Sequence, residues 1–229
     1  MIVRIVAWTL AGLALVVVAV NLWFAAHIWW WRDHPVGETS FMAYRMEELH
    51  AKSPKAEIAY RWVAYDRISN NLKRAMVAAE DAKFVDHEGF DWDGIQTAME
   101  KNQKKGRVVA GGSTITQQLA KNLFLTPSRS YLRKAEEAVI TVMLETLLDK
   151  KRILEIYLNV IEWGNGVFGA EAAAQRYFGV HASQLTALQA ARLAAMTPSP
   201  RLFERNPNSA YLSGRVATIA ARMPGAAVP

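Results

Sequence analysis

The chain has 229 residues, a length that accommodates one folded domain beside a membrane segment. Lysine and arginine outnumber aspartate and glutamate by 27 to 21, and the net charge of +6 favours an anionic partner such as a phosphate-bearing substrate, an anionic lipid surface or nucleic acid. Because the sequence contains no cysteine, it excludes disulfide frameworks, thiolate metal sites and cysteine nucleophiles.

The first predicted element is an apolar run from Ile5 to Trp31 that contains no formally charged residue. A hydrocarbon core of about 30 Å requires about 20 apolar residues in a helix, and the tryptophans at 29–31 suit the membrane boundary. A cleaved signal peptide is the alternative, but its apolar region is shorter, about 7 to 15 residues. We therefore expect a retained transmembrane anchor over residues 1–31, whose flanking charges leave its orientation open.

Beyond the anchor, helical periodicity dominates, and no alternating run of β-branched and aromatic residues is long enough for a sheet. The sequence predicts an approach segment at 32–68, a mainly α domain at 69–222 and a disordered tail at 223–229. Helices are predicted over 69–81, 92–106, 114–123, 132–148 and 151–161, then through Tyr177 to a stop at Gly179, over 186–196 and in a last helix ending near 222, with a turn at 163–166.

The stretch AEDAKFVDHEGFDWDGI places Glu80 and Asp81 in the last turn of a predicted helix. A carboxylate at the negative end of the helix dipole, beside a second carboxylate, is expected to have a raised pKa, which suits a general base. Acidic pairs at helix ends are commonly solvated surface, which is the alternative. The aromatic residues and glycine that alternate with the acids favour the wall of a cleft.

A second motif, GGSTITQQLAKN at 111–122, joins two glycines to a capping box. Glycines let a backbone approach a ligand closely, and a helix N-terminus attracts anions, so this motif predicts an anion site. Neutral donors and one cation surround it: Ser113, Thr114, Gln117, Gln118 and Lys121. An ordinary capped helix after a loop is the alternative. The motif GxxxxGK does not occur, so nucleotide binding is not implied.

In YLRKAEEAV, Arg133 and Glu137 lie at positions i and i+4 of a helix, with Lys134 beside them. Such a pair is commonly a solvated salt bridge. An arginine and a lysine can also neutralise a departing pyrophosphate, the arginine through two donors and the lysine as a mobile charge. His87 has no partner at metal-ligand spacing, and a role in the turn is favoured for it.

Read in order, these motifs resemble the five motif blocks of the peptidoglycan glycosyltransferases, glycosyltransferase family 51. The blocks are AAEDAKFVDHEGFD, GGSTITQQLAKNLFL, RKAEEAVITVMLE, ILEIYLNVIEWGNGVFGAEAAAQRYFG and LTALQAARLAAMTPSP, and the resemblance covers residues 60–200. With its single N-terminal anchor, the chain resembles the monofunctional members of this family. Neither SxxK nor KTG occurs, so no transpeptidase activity is expected.

The resemblance implies polymerisation of lipid II by a single inverting displacement that releases undecaprenyl pyrophosphate. It identifies Glu80 as the general base and Glu137 as a second carboxylate that assists departure, positions substrate or helps to hold a divalent cation, Mg or Mn. No cofactor is otherwise required. The substrate-binding set that it implies is Asp81, Phe84, His87, Ser113, Thr114, Gln117, Gln118, Lys121, Asn122, Arg133 and Lys134.

The resemblance also implies a lysozyme-like helical domain with a small lobe that dips into the membrane, expected at 104–133. Lipid II, the growing glycan chain and inner-membrane lipids are the expected partners, with cell-division and wall-synthesis proteins as further candidates and no nucleic acid. The catalytic domain would be periplasmic and Met1 cytoplasmic. Two alternatives are a lysozyme-like hydrolase, which needs no pyrophosphate site, and a membrane-anchored scaffold without catalysis.

Overall fold

The computed structural model describes residues 1–107, 111–127 and 130–229. The described part is mainly α-helical, as predicted. Its helices are α1 (Ile2–Trp30), α2 (Ser40–His50), α3 (Asn70–Glu80), α4 (Trp92–Lys105), α5 (Ile115–Phe124), α6 (Tyr131–Leu147), α7 (Lys150–Val160), α8 (Ala170–Phe178), α9 (Ala187–Met196), α10 (Pro200–Arg205) and α11 (Ala210–Arg222). Val108 and Val109, which belong to the predicted membrane-dipping lobe, lie outside the described residues.

The helix boundaries follow local capping chemistry. The Ser69 side chain accepts a hydrogen bond from the backbone of Asn71 at the start of α3, and Thr114 and Thr186 form complete capping boxes before α5 and α9. Each box satisfies amide groups that would otherwise lack an intrahelical partner. Gly106 and Gly179 end α4 and α8 in the left-handed conformation. These helices therefore begin and end within a residue or two of the predicted positions.

A small sheet interrupts the helical pattern where the sequence predicts a turn at 163–166. Strands β2 (Glu162–Gly164) and β3 (Val167–Phe168) are antiparallel, and β1 (Ala59–Tyr60) pairs with β3 in parallel, giving the order β1-β3-β2. The turn itself is shorter than predicted and consists of the two residues between β2 and β3. Strands of two or three residues are too short to show a period of two along the sequence.

Both segments that flank the predicted domain are folded onto it. The approach segment contains α2 and β1, and Met42 of α2 is buried in the common core. The predicted disordered tail contains a 3₁₀ turn at Met223–Gly225 with Met223 buried, and the Tyr65 hydroxyl donates to the carbonyl oxygen of Pro229. Apolar burial and this hydrogen bond order a segment that composition alone describes as mobile.

Helix α1 is long and apolar enough to cross a membrane. Its first turns are exposed, whereas Phe24 and Ile28 near its end are buried against the domain. Phe24 packs on Phe124 of α5 with ring centroids 4.8 Å apart, and the Arg152 guanidinium donates to the carbonyl oxygen of Trp31 at 2.8 Å. The last turns of α1 are thus part of the folded core.

Candidate active site

A cavity of about 340 Å³, here called the central cavity, lies where the end of α3 meets α5, α6 and the segment after α9. Its lining combines two carboxylates, three cations and several neutral donors. The lining residues are Glu80, Ser113, Gln117, Gln118, Lys121, Arg133, Lys134, Glu137, Thr197 and Pro198. All of them except Thr197 and Pro198 are among the predicted site residues, and those two belong to the fifth motif block, so the fold brings four motif blocks to one place.

Glu80 is the last residue of α3, and its side chain is 12% exposed. Its Oε1 accepts hydrogen bonds from the Thr197 hydroxyl at 2.7 Å and from the Arg215 guanidinium at 3.3 Å. Its Oε2 accepts one hydrogen bond, from the Gln118 amide at 2.9 Å. Since each carboxylate oxygen has two lone pairs, Oε2 retains acceptor capacity toward the central cavity.

Tyr157 fixes which end of the Gln118 amide faces Glu80. The Tyr157 hydroxyl, fully buried in α7, donates to Oε1 of Gln118 at 3.0 Å, so the NH₂ group of the same amide is directed at Glu80. Burial raises the pKa of Tyr157 well above its ordinary value, and the charges of Glu80 and Asp81 act in the same direction. The phenol therefore stays protonated and acts as a donor. Sequence reasoning missed this residue because a tyrosine inside an apolar helix resembles core.

Asp81 is buried and bonded within the protein, a position that differs from the substrate-binding role predicted for it. Its side chain is 1% exposed, and one oxygen accepts the backbone N–H of Ile115 at 3.0 Å while the other bonds to His87 Nε2 at 2.9 Å. Burial raises the pKa of Asp81, and the hydrogen bonds from His87 and Ile115 oppose that rise. The N-terminus of α5, predicted as a substrate anion site, is thus occupied by a carboxylate of the protein itself.

Several residues of the predicted substrate-binding set support the cavity from behind. Phe84 is fully buried beneath the Lys150 ammonium, so its expected contact with substrate does not fit its position. The Thr114 hydroxyl donates to the carbonyl oxygen of Gly89 at 2.6 Å, and the Asn122 amide donates to the carbonyl oxygen of Gln118 at 2.7 Å. Their physical role is to hold the loop and helix that carry Ser113 and Gln118.

Three cations, here called the cationic cluster, line the central cavity: Lys121, Arg133 and Lys134. Glu137 is 4% exposed on its side chain and is bonded by Arg133 at 2.9 Å and by Lys134. The pair at 133 and 137 is therefore buried on its acidic side and is not a solvated surface bridge. Burial lowers the pKa of Lys121, while the carboxylates of Glu137 and Glu80 oppose this effect and the neighbouring cations add to it.

The positive charge of the cationic cluster exceeds the negative charge of Glu137, and its donors exceed the acceptors that Glu137 offers. An arginine carries five N–H donors and a lysine three, so both keep donors free while they bond Glu137. These free donors can therefore bind a multiply charged anion such as a pyrophosphate. Each oxygen of Glu137 bonds one of the two cations, Oε2 to Arg133 and Oε1 to Lys134. No cluster of three or more metal-ligating side chains occurs within the described ranges.

Two smaller cavities of about 200 Å³ each extend the central cavity into a cleft. One shares Glu80 and Ser113 and adds Asp91 and Arg222. The other shares Gln118, Lys121, Thr197 and Pro198, and is walled by Phe41 and Arg45 of α2. The approach segment therefore contributes to the cleft. A larger cavity of about 600 Å³ between α8, α9 and α11 contains no carboxylate and offers no acid–base chemistry.

Comparison with known proteins identifies the family to which this cleft belongs. The sequence profile described as Transglycosylase matches residues 46–224, and so includes the C-terminal part of α2 and all of α11. The chain belongs to the transglycosylase family. Biosynthetic peptidoglycan transglycosylases resemble it over nearly their whole length. That of Dechloromonas aromatica is 64% identical over 91% of this chain and 90% of the relative, and that of Janthinobacterium sp. is 56% identical over 99% and 98%.

A third relative, from Chromobacterium violaceum, is 58% identical over 96% of both chains and carries the same description. The transglycosylase described here is therefore a glycosyltransferase of peptidoglycan synthesis in the cell wall. The family match begins before the approach segment ends and extends past the resemblance at 60–200. Both limits agree with the structure, in which α2 and α11 pack into the same domain.

Proposed function

We propose that this transglycosylase polymerises lipid II into linear glycan strands and releases undecaprenyl pyrophosphate. The observation that carries the proposal is that Glu80 and the cationic cluster line the same central cavity. A glycosyl transfer to a sugar hydroxyl from a pyrophosphate donor needs a base for the hydroxyl proton and positive charge for the departing anion.

In the proposed reaction, the 4-hydroxyl oxygen of the acceptor sugar attacks the anomeric carbon of the growing chain. Its proton passes to Oε2 of Glu80, the oxygen that has acceptor capacity to spare. The bond from the anomeric carbon to the pyrophosphate breaks, and its electron pair leaves with the pyrophosphate, whose charge Lys121, Arg133 and Lys134 neutralise. A single displacement of this kind inverts the anomeric centre and needs no covalent enzyme intermediate. The chain contains neither SxxK nor KTG, which supports glycan synthesis without transpeptidation.

The proposed membrane arrangement places α1 across the inner membrane, Met1 in the cytoplasm and the catalytic domain in the periplasm. Exposure of the first turns of α1 and burial of its last turns support an anchor that ends at the domain. The lipid-linked substrate would then enter the cleft from the membrane surface. A membrane-dipping lobe at 104–133 remains part of this proposal.

Replacement of Glu80 by glutamine tests the assignment of the base. Glutamine preserves the shape of the side chain and cannot accept the proton, so we expect Glu80→Gln to lower lipid II polymerisation by at least about a hundredfold while the thermal unfolding temperature changes little. The control is Glu88→Gln, which makes the same change from carboxylate to carboxamide at an exposed position near Glu80 in the chain. This variant should polymerise lipid II at the parental rate. Glycan polymer and free undecaprenyl pyrophosphate are measured together.

The same assay separates the alternatives. A hydrolase would shorten preformed glycan and release no undecaprenyl pyrophosphate from lipid II, and a scaffold would do neither. Near-parental turnover by folded Glu80→Gln would remove Glu80 from the role of base.

A further inference from the structure

Arg215 is a charged partner of Glu80 that comes from outside the five motif blocks. It lies in α11, and its guanidinium is 3.3 Å from Oε1 of Glu80. The Arg215 side chain is 27% exposed and that of Glu80 is 12% exposed, so the pair is largely shielded from solvent. Within the described part of the chain, Arg215 is the one cation in an ion pair with Glu80.

The contacts of Glu80 are unequal at its two oxygens. Oε1 accepts from both Thr197 and Arg215, whereas Oε2 accepts from the neutral amide of Gln118 alone. The Thr197 hydroxyl also lies 2.9 Å from the carbonyl oxygen of Ala194, and its single proton can serve one acceptor at a time. Arg215 is therefore the donor that remains on Oε1 when Thr197 turns to Ala194.

The other charged or titratable groups around Glu80 cannot substitute for Arg215. Asp81 follows it in the chain and is engaged by Ile115 and His87. Tyr157 reaches Glu80 only through Gln118, and the charge of Lys121 is shared with Glu137. Arg222 lines the adjacent cavity without an ion pair to Glu80 among the described contacts.

The position of Arg215 is not explained by stability alone. Its Nε is buried and has no hydrogen-bond partner among the described residues. A buried donor without a partner is unfavourable, so a side chain selected only for stability would satisfy it. Among the described hydrogen bonds and ion pairs, the guanidinium makes the one with the carboxylate of Glu80.

We propose that Arg215 is a positioning residue, which acts through Glu80 by holding Oε1 in place, so that Oε2 is presented to the acceptor hydroxyl. This inference depends on the proposed role of Glu80 as the base. Removal of Arg215 takes away a charge-assisted hydrogen bond on Oε1 and leaves the Glu80 side chain free to adopt other rotamers. Substrate binding at the cationic cluster is unaffected, because that cluster lies on α5 and α6.

The test is a kinetic comparison of Arg215→Gln and Arg215→Lys with the parent. We expect Arg215→Gln to lower kcat about tenfold or more, with KM for lipid II changed less than twofold. Arg215→Lys retains the charge and should recover part of kcat. Arg192→Gln is the matched control, since Arg192 bonds the carbonyl oxygen of Pro207 away from the central cavity.

A double-mutant cycle keeps the proposal falsifiable if single variants lose stability. In a Glu80→Gln background, Arg215→Gln should cause no further loss of residual rate, because the group through which it acts is already gone. Parental kcat in Arg215→Gln overturns the inference, as does a full additive loss in the cycle. The failure of the proposed function is a separate outcome, in which Glu80→Gln itself remains active.

Discussion

Glu80 and Asp81 are adjacent in the chain, and the fold gives them different chemistry. Asp81 is engaged by a backbone amide and a histidine in the interior, whereas Glu80 keeps an oxygen available to the central cavity. Their separation arises because Asp81 leaves the helical conformation at the end of α3, with φ −162° and ψ 76°. Of the two neighbouring carboxylates, Asp81 thus has a structural role and Glu80 is the candidate base.

Tyr157 allows the hydrogen-bond chain to Glu80 to be tested with the removal of one oxygen. Tyr157→Phe keeps the ring in the core and removes the donor that orients Gln118, so we expect the polymerisation rate to fall severalfold and the free energy of unfolding to fall by about 1 kcal/mol. Tyr177→Phe is the control, because the Tyr177 hydroxyl donates to the carbonyl oxygen of Trp163 at 2.9 Å. It should lose similar stability and retain its rate. An equal rate in both variants would mean that the Tyr157 hydroxyl has no catalytic influence.

At the scale of elements, local chemistry in the sequence predicts where helices begin and end. The capping boxes at Thr114 and Thr186 and the glycine at 179 depend on neighbouring residues only, and the structure confirms them. The six-residue helix α10 and the short strands carry no periodicity of their own and could not be predicted. The attachment of Asp81 to α5 also could not, because it depends on a contact between residues 34 positions apart.

The loop before α5 gives a prediction about how this element is positioned. A Cβ on Gly112 would lie 3.0 Å from the Cα of Ile95 in α4, whereas at Gly111 no atom lies within 4 Å. Gly112→Ala should therefore lower the free energy of unfolding by about 1 to 3 kcal/mol and displace Ser113, with a loss of polymerisation rate. Gly111→Ala should change stability by less than about 1 kcal/mol in either direction. Denaturant unfolding and initial polymerisation rates of both variants test this prediction. Identical stability and rate in the two variants would contradict the close approach of Gly112 to Ile95.

At the scale of the whole molecule, distant segments complete both the domain and the site. The approach segment is fixed by a network in which Arg45 and Arg201 each bond both Glu48 and Glu162. Sequence reasoning predicted Glu80 and the cationic cluster as site residues because they lie in compact motifs, and the fold brings them to one cavity. It missed Arg215, which is 135 positions from Glu80, since no local pattern reveals such a pairing.

The network at Glu48 predicts a dependence of stability on pH. A hydrogen bond from Arg201, with further contributions from Arg45, lowers the pKa of Glu48 from 4.5 to about 2, while burial opposes the shift. Because the folded pKa is lowered, the stabilisation is complete above pH 4.5 and is lost as the pH falls toward 2. The Glu48 side chain is 36% exposed, so solvent screening limits the effect to about 1 kcal/mol.

Thermal unfolding between pH 6 and pH 3 measures this contribution. Glu48→Gln should unfold at a lower temperature than the parent at pH 6, and the difference should shrink as the pH falls. Glu38→Gln, at an exposed position outside the network, should follow the parent throughout. A constant difference between Glu48→Gln and the parent at every pH would show that charge is not the cause.

Because Phe24 and Ile28 are buried, the last turns of α1 pack against the rest of the domain. The exposed part of α1, about 22 residues, has a length of about 33 Å, close to the thickness of a hydrocarbon core. If α1 spans the membrane as proposed, this packing would hold the mouth of the cleft at one height and tilt above the bilayer. The proposed lipid-linked substrate would diffuse in the plane of the same bilayer. It would therefore search for the cleft in two dimensions and approach it in one orientation.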